Sequence, residues 1–205
     1  MIAAAKHLRA AGLAIAGAAL VSGCVRVASN ATPVAPAAIA PDRGWISVAG
    51  VEPVRQRSQL DCGPAALVMV ARRWGVPLDL RTATRSARRK PGHGARLGAL
   101  RSVARASGLT AFAIRADRAT LIHELERGRP VVVGLLRGRG RKRLSHYEVV
   151  VGFHPRRGEV ATIDPAAGFA VRRWRDLAAE WDPAGRPALV VLGPAAAKQP
   201  RAATR

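Results

Sequence analysis

The chain has 205 residues and is 49% hydrophobic, enough for one domain with a buried core and terminal extensions, which excludes an intrinsically disordered protein. Its formal net charge is +21, from 34 Lys and Arg against 13 Asp and Glu, and such a charge suits nucleic acid, anionic lipid or an acidic substrate. The sequence has no zinc-finger spacing, no recognition-helix signature and few aromatic residues, so nucleic acid is not an expected partner. The favoured interpretation is that the arginines lie on a solvated surface without a binding role, and if the charge does bind a partner, lipid or other cell-envelope anions are better matched than nucleic acid.

Residues 1–24 have the layout of a bacterial export signal, with a basic start and an apolar stretch over residues 10–21 that is too short to span a bilayer. The stretch ends in the letters LVSGC, which resemble a lipobox, the motif whose cysteine becomes the lipidated first residue of a lipoprotein. This resemblance implies lipidation of Cys24 and attachment to a membrane of the bacterial cell envelope. Val25 replaces an inner-membrane retention aspartate, which favours the outer membrane, facing the periplasm. The alternative is an ordinary secretory signal with a chance cysteine.

The remaining chain divides into three parts. Residues 25–44 are rich in Ala, Pro and Thr without a helical or alternating pattern, which predicts a flexible tether. A single domain is expected over residues 45–193, and residues 194–205 are expected to be a disordered tail.

Within the domain, the apolar period changes from helical to alternating along the chain. Helices are predicted at residues 62–74, 78–89, 97–107, 117–127 and 174–181. Strands are predicted at residues 110–114, 131–136, 146–153, 159–164, 169–171 and 188–192. Most helices precede most strands, so we expect an α+β fold in which an N-terminal helical lobe packs on a C-terminal antiparallel sheet.

Cys62 is the one thiol that remains if Cys24 is lipidated. In an oxidising compartment a free cysteine is a liability unless its reactivity is used, so a catalytic nucleophile is the first hypothesis. Asp61 is a candidate cap and Pro64 suits the first turn, so a helix is expected to begin at the cysteine. The helix dipole and the backbone N–H groups there favour a thiolate and can hold an oxyanion. The alternative is a buried structural cysteine.

A predicted hairpin brings a histidine and an aspartate together. If Phe153 and Glu159 close it, Glu148 lies opposite Asp164, and His146 is the diagonal neighbour of Asp164 on the same face. Diagonal partners are about 7–8 Å apart at the backbone, within reach of an imidazole and a carboxylate. His146 is therefore the expected general base, and Asp164 is expected to orient it.

These motifs together resemble the bacteriocin-processing cysteine peptidases, papain-like enzymes that cut double-glycine leader peptides, often as the N-terminal domain of ABC exporters. The resemblance covers about residues 50–193. It includes Gln56 six residues before Cys62, the HYEVVVG strand that starts at His146 and the IDPAAG turn that holds Asp164. It implies a papain-like fold and peptide hydrolysis through a thioester.

The resemblance also implies that the Gln56 side chain donates to the oxyanion. A peptide or protein substrate with small residues, glycine pairs among them, is expected, with an envelope or exporter protein as a further partner. No transporter domain follows in this chain, so the family's coupling of cleavage to export is not carried over. Rival functions on the same residues are an acyltransferase or transglutaminase-like enzyme, and a non-catalytic peptide-binding module.

Several residue assignments stay open at this point. Gln59 competes with Gln56, Glu148 or Asp61 could orient the histidine, and His154 is an alternative base although it falls in a predicted turn. Neither His93 nor His123 stands at metal-ligand spacing from a cysteine, so no metal and no cofactor are expected. The basic segment 137–143 is predicted to be a loop that borders the active site.

Overall fold

The computed structural model describes residues 30–87, 94–138 and 143–194. The predicted signal segment with Cys24, most of the loop around His93 and all but the first residue of the predicted tail lie outside the described residues. In the described part, the chain forms helices at Cys62–Arg73 (α1), Leu80–Ala87 (α2), Leu97–Ala106 (α3), Arg118–Glu126 (α4) and Trp174–Trp181 (α5). None of these helices is both long and apolar enough to cross a membrane.

All strands of the described chain join one antiparallel sheet. They are Thr32–Pro33 (β1), Ile46–Ser47 (β2), Thr110–Arg115 (β3), Val131–Arg137 (β4), Leu144–His154 (β5), Glu159–Asp164 (β6), Gly168–Arg173 (β7) and Pro187–Leu192 (β8). Their order across the sheet is β1-β7-β6-β5-β4-β8-β3, and β2 pairs separately with β5. Helices α1, α2 and α3 pack together, with α1 against β5, while α5 packs on β4, β6 and β7. The predicted α+β class with an antiparallel sheet is therefore confirmed.

Helix α1 is the centre of the helical layer. Every residue from Cys62 to Ala71 is buried, as expected for a helix that is apolar on all sides. The helix begins at the cysteine, as predicted, and Gly75 follows it with a φ of +72°, a backbone conformation that glycine adopts without strain. This burial fixes the position of the thiol, because the helix has no freedom to slide on the sheet.

The capping prediction for Asp61 is wrong, although Asp61 does precede the helix. Its backbone has φ −98° and ψ 0°, not the extended conformation of a typical cap, and its side chain makes no capping hydrogen bond. The carboxylate instead accepts a hydrogen bond from the Thr84 hydroxyl at 3.4 Å, which ties α1 to α2. Asp117, by contrast, caps its helix, since it accepts a hydrogen bond from the backbone N–H of Thr120 at 2.7 Å.

The β5–β6 hairpin contains a bulge that the sequence did not reveal. The turn closes between His154 and Glu159, one residue later on β5 than predicted. The bulge follows Val150 and absorbs that extra residue, so that Val149 lies opposite Ile163. On the side of the bulge away from the turn, the pairing of β5 with β6 is the predicted one.

Part of the predicted tether is ordered on the domain. Thr32 pairs with Val171 at the edge of the sheet, and Ile39 is buried in the core. Proline has no backbone N–H to donate to a neighbouring strand, so Pro33 suits a position at the edge of the sheet. A flexible tether therefore does not describe residues 32–43, whose short turns and strand pack against the sheet.

Candidate active site

Cys62 is the first residue of α1, and its side chain is buried. Its Sγ lies 3.8 Å from the backbone oxygen of Gln59, to which the thiol can donate. His146, on the sheet, lies close enough to Cys62 for their interaction to raise the pKa of the imidazole. The structure thus brings together a thiol and an imidazole that lie far apart in the chain.

His146 also contacts an aspartate. Its Nε2 lies 2.9 Å from Oδ1 of Asp164, which leaves Nδ1 available for a second partner. Burial alone would lower the pKa of His146, but the hydrogen bonds to Asp164 and Cys62 outweigh burial and raise it to about 9. The imidazole is therefore protonated at neutral pH and can face a thiolate as an imidazolium.

Asp164 is held by contacts on both carboxylate oxygens. Besides the His146 ring, Oδ1 accepts the backbone N–H of Ala166 at 2.8 Å, and Oδ2 accepts from Nη1 of Arg137 at 2.9 Å. Burial opposes ionisation, but the hydrogen bond and charge of His146, with the charge of Arg137, hold the Asp164 pKa well below its usual range. The carboxylate stays ionised and fixed in direction.

Gln56 lies beside the turn that follows Asp164. Its backbone N–H donates to the carbonyl oxygen of Pro165 at 3.0 Å. Its side-chain oxygen is buried without a hydrogen-bond partner in the described part of the chain, whereas the rival Gln59 is exposed. The contact therefore places Gln56, and not Gln59, against the aspartate turn.

A buried network of charged side chains surrounds the His146–Asp164 pair, and sequence reasoning missed most of it. Arg137 contacts Glu148 and Asp164, and Arg172 binds Glu148 at 2.7 Å and Glu180 at 2.9 Å. Two guanidinium groups and the imidazolium of the protonated His146 thus face three carboxylates. The charges of this network are therefore balanced away from solvent, as buried ions require.

The position of Arg137 corrects one prediction. The sequence predicted a basic loop over residues 137–143, but Arg137 is the last residue of β4 and its side chain points into the buried network. Residues 139–142 lie outside the described residues. Glu148 carried a usable signal, because an acidic residue in an otherwise apolar strand requires a buried cation nearby. No local pattern identifies which arginines supply it.

The alternative orienting and basic residues are occupied elsewhere. Glu148 pairs with two arginines, and Asp61 accepts from a threonine in α2. His154 stacks edge-on against Trp45 with ring centroids 5.3 Å apart, and it stands eight residues along β5 from His146, about 26 Å away. Asp164 is thus the carboxylate that contacts the histidine near the thiol.

A metal centre at the same place is disfavoured by the charges. Among the described residues, His146, Glu148 and Asp164 offer ligand atoms within 4.8 Å of one another. The guanidinium of Arg137 already contacts both carboxylates, and a divalent cation would repel it in a buried, low-dielectric setting. These residues are better described as an ion-pair site.

Tyr147 also lies next to the thiol, and it was not predicted. Its ring fits against two glycines: a Cβ on Gly63 would lie 3.0 Å from Cδ2 of Tyr147, and one on Gly134 would lie 3.2 Å from Cε1. Burial raises the pKa of Tyr147 to about 12, and the negative charge of Cys62 adds to this effect. Tyr147 is therefore a neutral phenol beside the nucleophile position.

A thiol at the start of a buried helix, and a histidine in contact with an aspartate on an antiparallel sheet, are features of a papain-like cysteine peptidase. Comparison with known families agrees. The peptidase C39 family model matches residues 51–185, and the chain belongs to this family. The resemblance to bacteriocin-processing peptidases inferred from the motifs is thereby confirmed.

Solved structures with the same fold include peptidase domains of exporters. The peptidase domain of Streptococcus ComA, a bifunctional ABC transporter of a quorum-sensing pathway, is 24% identical with a TM-score of 0.60, covering 70% of this chain and 99% of its own. A double-glycine motif protease from an AMS/PCAT transporter, solved with its leader peptide, is 21% identical with a TM-score of 0.58, covering 71% and 93%. A C39-like peptidase from Bacillus anthracis is 17% identical with a TM-score of 0.58, covering 72% and 97%. No curated protein matches the chain.

Proposed function

We propose that this protein is a membrane-anchored cysteine peptidase in which Cys62 is the nucleophile, His146 the acid–base residue and Asp164 the residue that orients His146. The observation that carries the proposal is the position of the imidazole, whose Nε2 lies 2.9 Å from Oδ1 of Asp164 and whose pKa is raised by its interaction with Cys62. A protonated imidazole in this place stabilises a thiolate before substrate arrives.

The reaction follows from these contacts. The thiolate attacks the peptide carbonyl carbon, a C–S bond forms, and the carbonyl electron pair moves to oxygen. The side-chain amide of Gln56 and the backbone N–H of Cys62 donate to that oxyanion. His146 then gives its proton to the leaving amine as the C–N bond breaks, which leaves a thioester on Cys62. Water attacks the thioester while His146 accepts a proton, and the carboxylic acid product departs.

The proposed substrate is a peptide cut after small residues, with glycine pairs as the first choice. Family membership supports this choice, as does the printed description of one structural relative as a double-glycine motif protease. The proposed anchor is a lipid on Cys24, and the supporting observation is the LVSGC sequence behind a basic and apolar start. An envelope or exporter protein that delivers the substrate is part of the same proposal.

The peptidase proposal is tested by turnover of peptides that differ only in a Gly-Gly or Ala-Ala pair, followed by mass spectrometry. The expected result is hydrolysis after the pair, abolished in Cys62→Ala. Adding primary amines or thiols as acceptors separates the reaction classes. An amide or thioester product in excess of hydrolysis would identify an acyltransferase instead, and peptide binding without any product would identify a binding module.

The effect of His146 on Cys62 is tested separately. The Cys62 thiol is alkylated with iodoacetamide at neutral pH, and the extent of labelling is measured by intact mass. His146→Ala is expected to slow the labelling of Cys62 about tenfold or more, because the imidazolium that stabilises the thiolate is lost. His123→Ala is the matched control, since His123 is exposed on α4. Equal labelling rates in both variants would contradict the role of His146.

The anchor is tested by expressing the full chain and Cys24→Ser in a bacterial host. The wild-type protein is expected in the outer-membrane fraction with a mass increase from acyl chains, and the variant is expected without that increase. Recovery of unmodified wild-type protein in the soluble periplasmic fraction would refute the lipoprotein assignment.

A further inference from the structure

Arg137 is the one cation of the buried network, apart from His146, that touches Asp164. Its Nη1 lies 2.9 Å from Oδ2, the carboxylate oxygen that does not contact the histidine. The same guanidinium contacts Glu148 and lies 3.6 Å from Oε2 of Glu180 through its Nε. One side chain therefore connects the carboxylate of the proposed triad to two further acids.

We propose that Arg137 is a positioning residue of this peptidase, whose guanidinium holds the Asp164 carboxylate in the direction that receives Nε2–H of His146. The inference rests on the proposed triad and extends it to a residue outside the recognised motifs. The ion pairs of Arg137 in the described chain are with Asp164, Glu148 and Glu180, so its positioning effect passes through Asp164, while its charge also lowers the pKa of His146.

The guanidinium is itself fixed by two acids besides Asp164. Glu148 is fully buried and is shared by Arg137 and Arg172, and Glu180 comes from α5, the helix that covers this part of the sheet. An arginine presents its N–H groups in a rigid planar fork, so binding several acids at once fixes its direction. A lysine would provide one point charge and could not serve the same acids in the same geometry.

The electrostatics agree with this geometry. The charge of Arg137 contributes to the low pKa of Asp164, so the carboxylate remains an acceptor whenever His146 donates. Glu148 and Asp164 would repel each other without the guanidinium between them. Arg137 thus prevents the two buried acids from sharing a proton, which would remove the charge that the histidine requires.

Arg172 provides a matched control within the same network. Both arginines contact Glu148 and Glu180, but among the ion pairs of the described residues Arg137 contacts Asp164 and Arg172 does not. Replacing either one removes one buried positive charge, so the two variants share the structural damage. They differ in the contact that the inference concerns.

The experiment compares full-length Arg137→Met, Arg137→Lys and Arg172→Met with the wild type. Peptide turnover gives kcat and KM, and the NMR signal of the His146 ring Nε2–H reports the hydrogen bond to Asp164 without any need for catalysis. Arg137→Met is expected to lower kcat about 100-fold with KM unchanged, and to lose the ring N–H signal to exchange with water. Arg137→Lys is expected to recover part of both, and Arg172→Met to retain both.

Two results would overturn the inference. The first is a folded Arg137→Met with the wild-type kcat and ring signal, and the second is an equal loss in Arg172→Met, which would assign the effect to the network as a whole. If Arg137→Met does not fold, the double variant Arg137→Met/Glu148→Gln removes one charge of each sign and is judged by the same criteria. If the wild type cleaves no peptide, the proposed function fails, and the ring signal alone still decides whether Arg137 holds Asp164.

Discussion

His146 and Asp164 are linked by a 2.9 Å contact between Nε2 and Oδ1, although they lie on different strands and 18 residues apart. The bulge after Val150 makes this contact possible, because it restores the register that places the two residues diagonally. A hairpin without the bulge would shift one strand by a residue and turn one of the two side chains to the opposite face. The backbone irregularity is therefore part of the site.

Asp164→Asn is expected to reduce kcat/KM about 10²- to 10⁴-fold, because a neutral amide neither stabilises the imidazolium nor selects the tautomer as a carboxylate does. Peptide turnover of the purified variant measures this loss. Glu159→Gln, in the same strand but at the far end of the hairpin, serves as the control and should keep wild-type activity. A wild-type rate for Asp164→Asn would exclude the proposed orienting role.

The activity is expected to fall as the pH rises through about 9, where the raised pKa of His146 places the loss of the imidazolium proton. Above that pH the leaving amine has no proton donor, so kcat/KM declines on the basic side. Measuring kcat/KM at a series of pH values gives the pH at which this decline occurs, because kcat/KM reports the ionising groups of the free enzyme. A limb near the ordinary histidine value of 6.5 would show that His146 is not held by Asp164 and Cys62.

The free energy of unfolding should also depend on the protonation of His146, and it should fall as the pH rises. Because the folded-state pKa of His146 is raised from 6.5 to about 9, its stabilising contribution is complete below pH 6.5 and is lost as the pH rises to about 9. The loss in free energy of unfolding is about 3 kcal/mol. Urea unfolding of the wild type and His146→Gln across this window measures it, and the variant should lack that part of the slope. Identical slopes in the two proteins would contradict the prediction.

Gly63→Ala is expected to destabilise the protein and to disturb the thiol. The new Cβ would lie 3.0 Å from Cδ2 of Tyr147 and 3.1 Å from Cδ1 of Leu100, and such overpacking costs about 1–3 kcal/mol. The gain in helix propensity, about 0.5–1 kcal/mol, is smaller. Thermal unfolding and peptide turnover measure both effects.

Gly98→Ala is the control for that substitution. Gly98 is the second residue of α3 as Gly63 is of α1, and among the described residues no heavy atom other than those of its chain neighbours and its own helix backbone lies within 4 Å of the position of its Cβ. The control should therefore be stabilised by the propensity gain alone. A stabilised Gly63→Ala with full activity would show that the Tyr147 ring yields without cost.

Much of the fold could be predicted because local patterns and tertiary packing agree in this chain. The apolar run after Cys62 predicted a buried helix, and the alternating segments predicted the strands, because burial and propensity favour the same element there. The pairing of His146 with Asp164 agrees with the predicted register, although the turn closes one residue later than predicted, because the bulge after Val150 compensates for the difference. The cap at Asp61 failed because Thr84, from another helix, competes for the same carboxylate.

The buried network could not be predicted for a physical reason. Arg137 stands in a run of arginines and glycines that looks solvated, and Arg172 and Glu180 stand in an ordinary surface-like pattern. Their burial depends on which strand lies next to which, and a charged residue gives no local sign of its distant partner. The strand at Thr32 could not be predicted either, because a strand of two residues at a sheet edge is too short to show an alternating pattern.

Cys62 lies on a helix and His146 on the sheet, and 83 residues of chain separate them. The reactive pair therefore does not exist in either layer alone and is created when the helical layer docks on the strands. A molecule with its sheet formed but its helices undocked carries an ordinary cysteine and cannot digest itself or its neighbours. Proteolytic competence thus requires both layers to be in place.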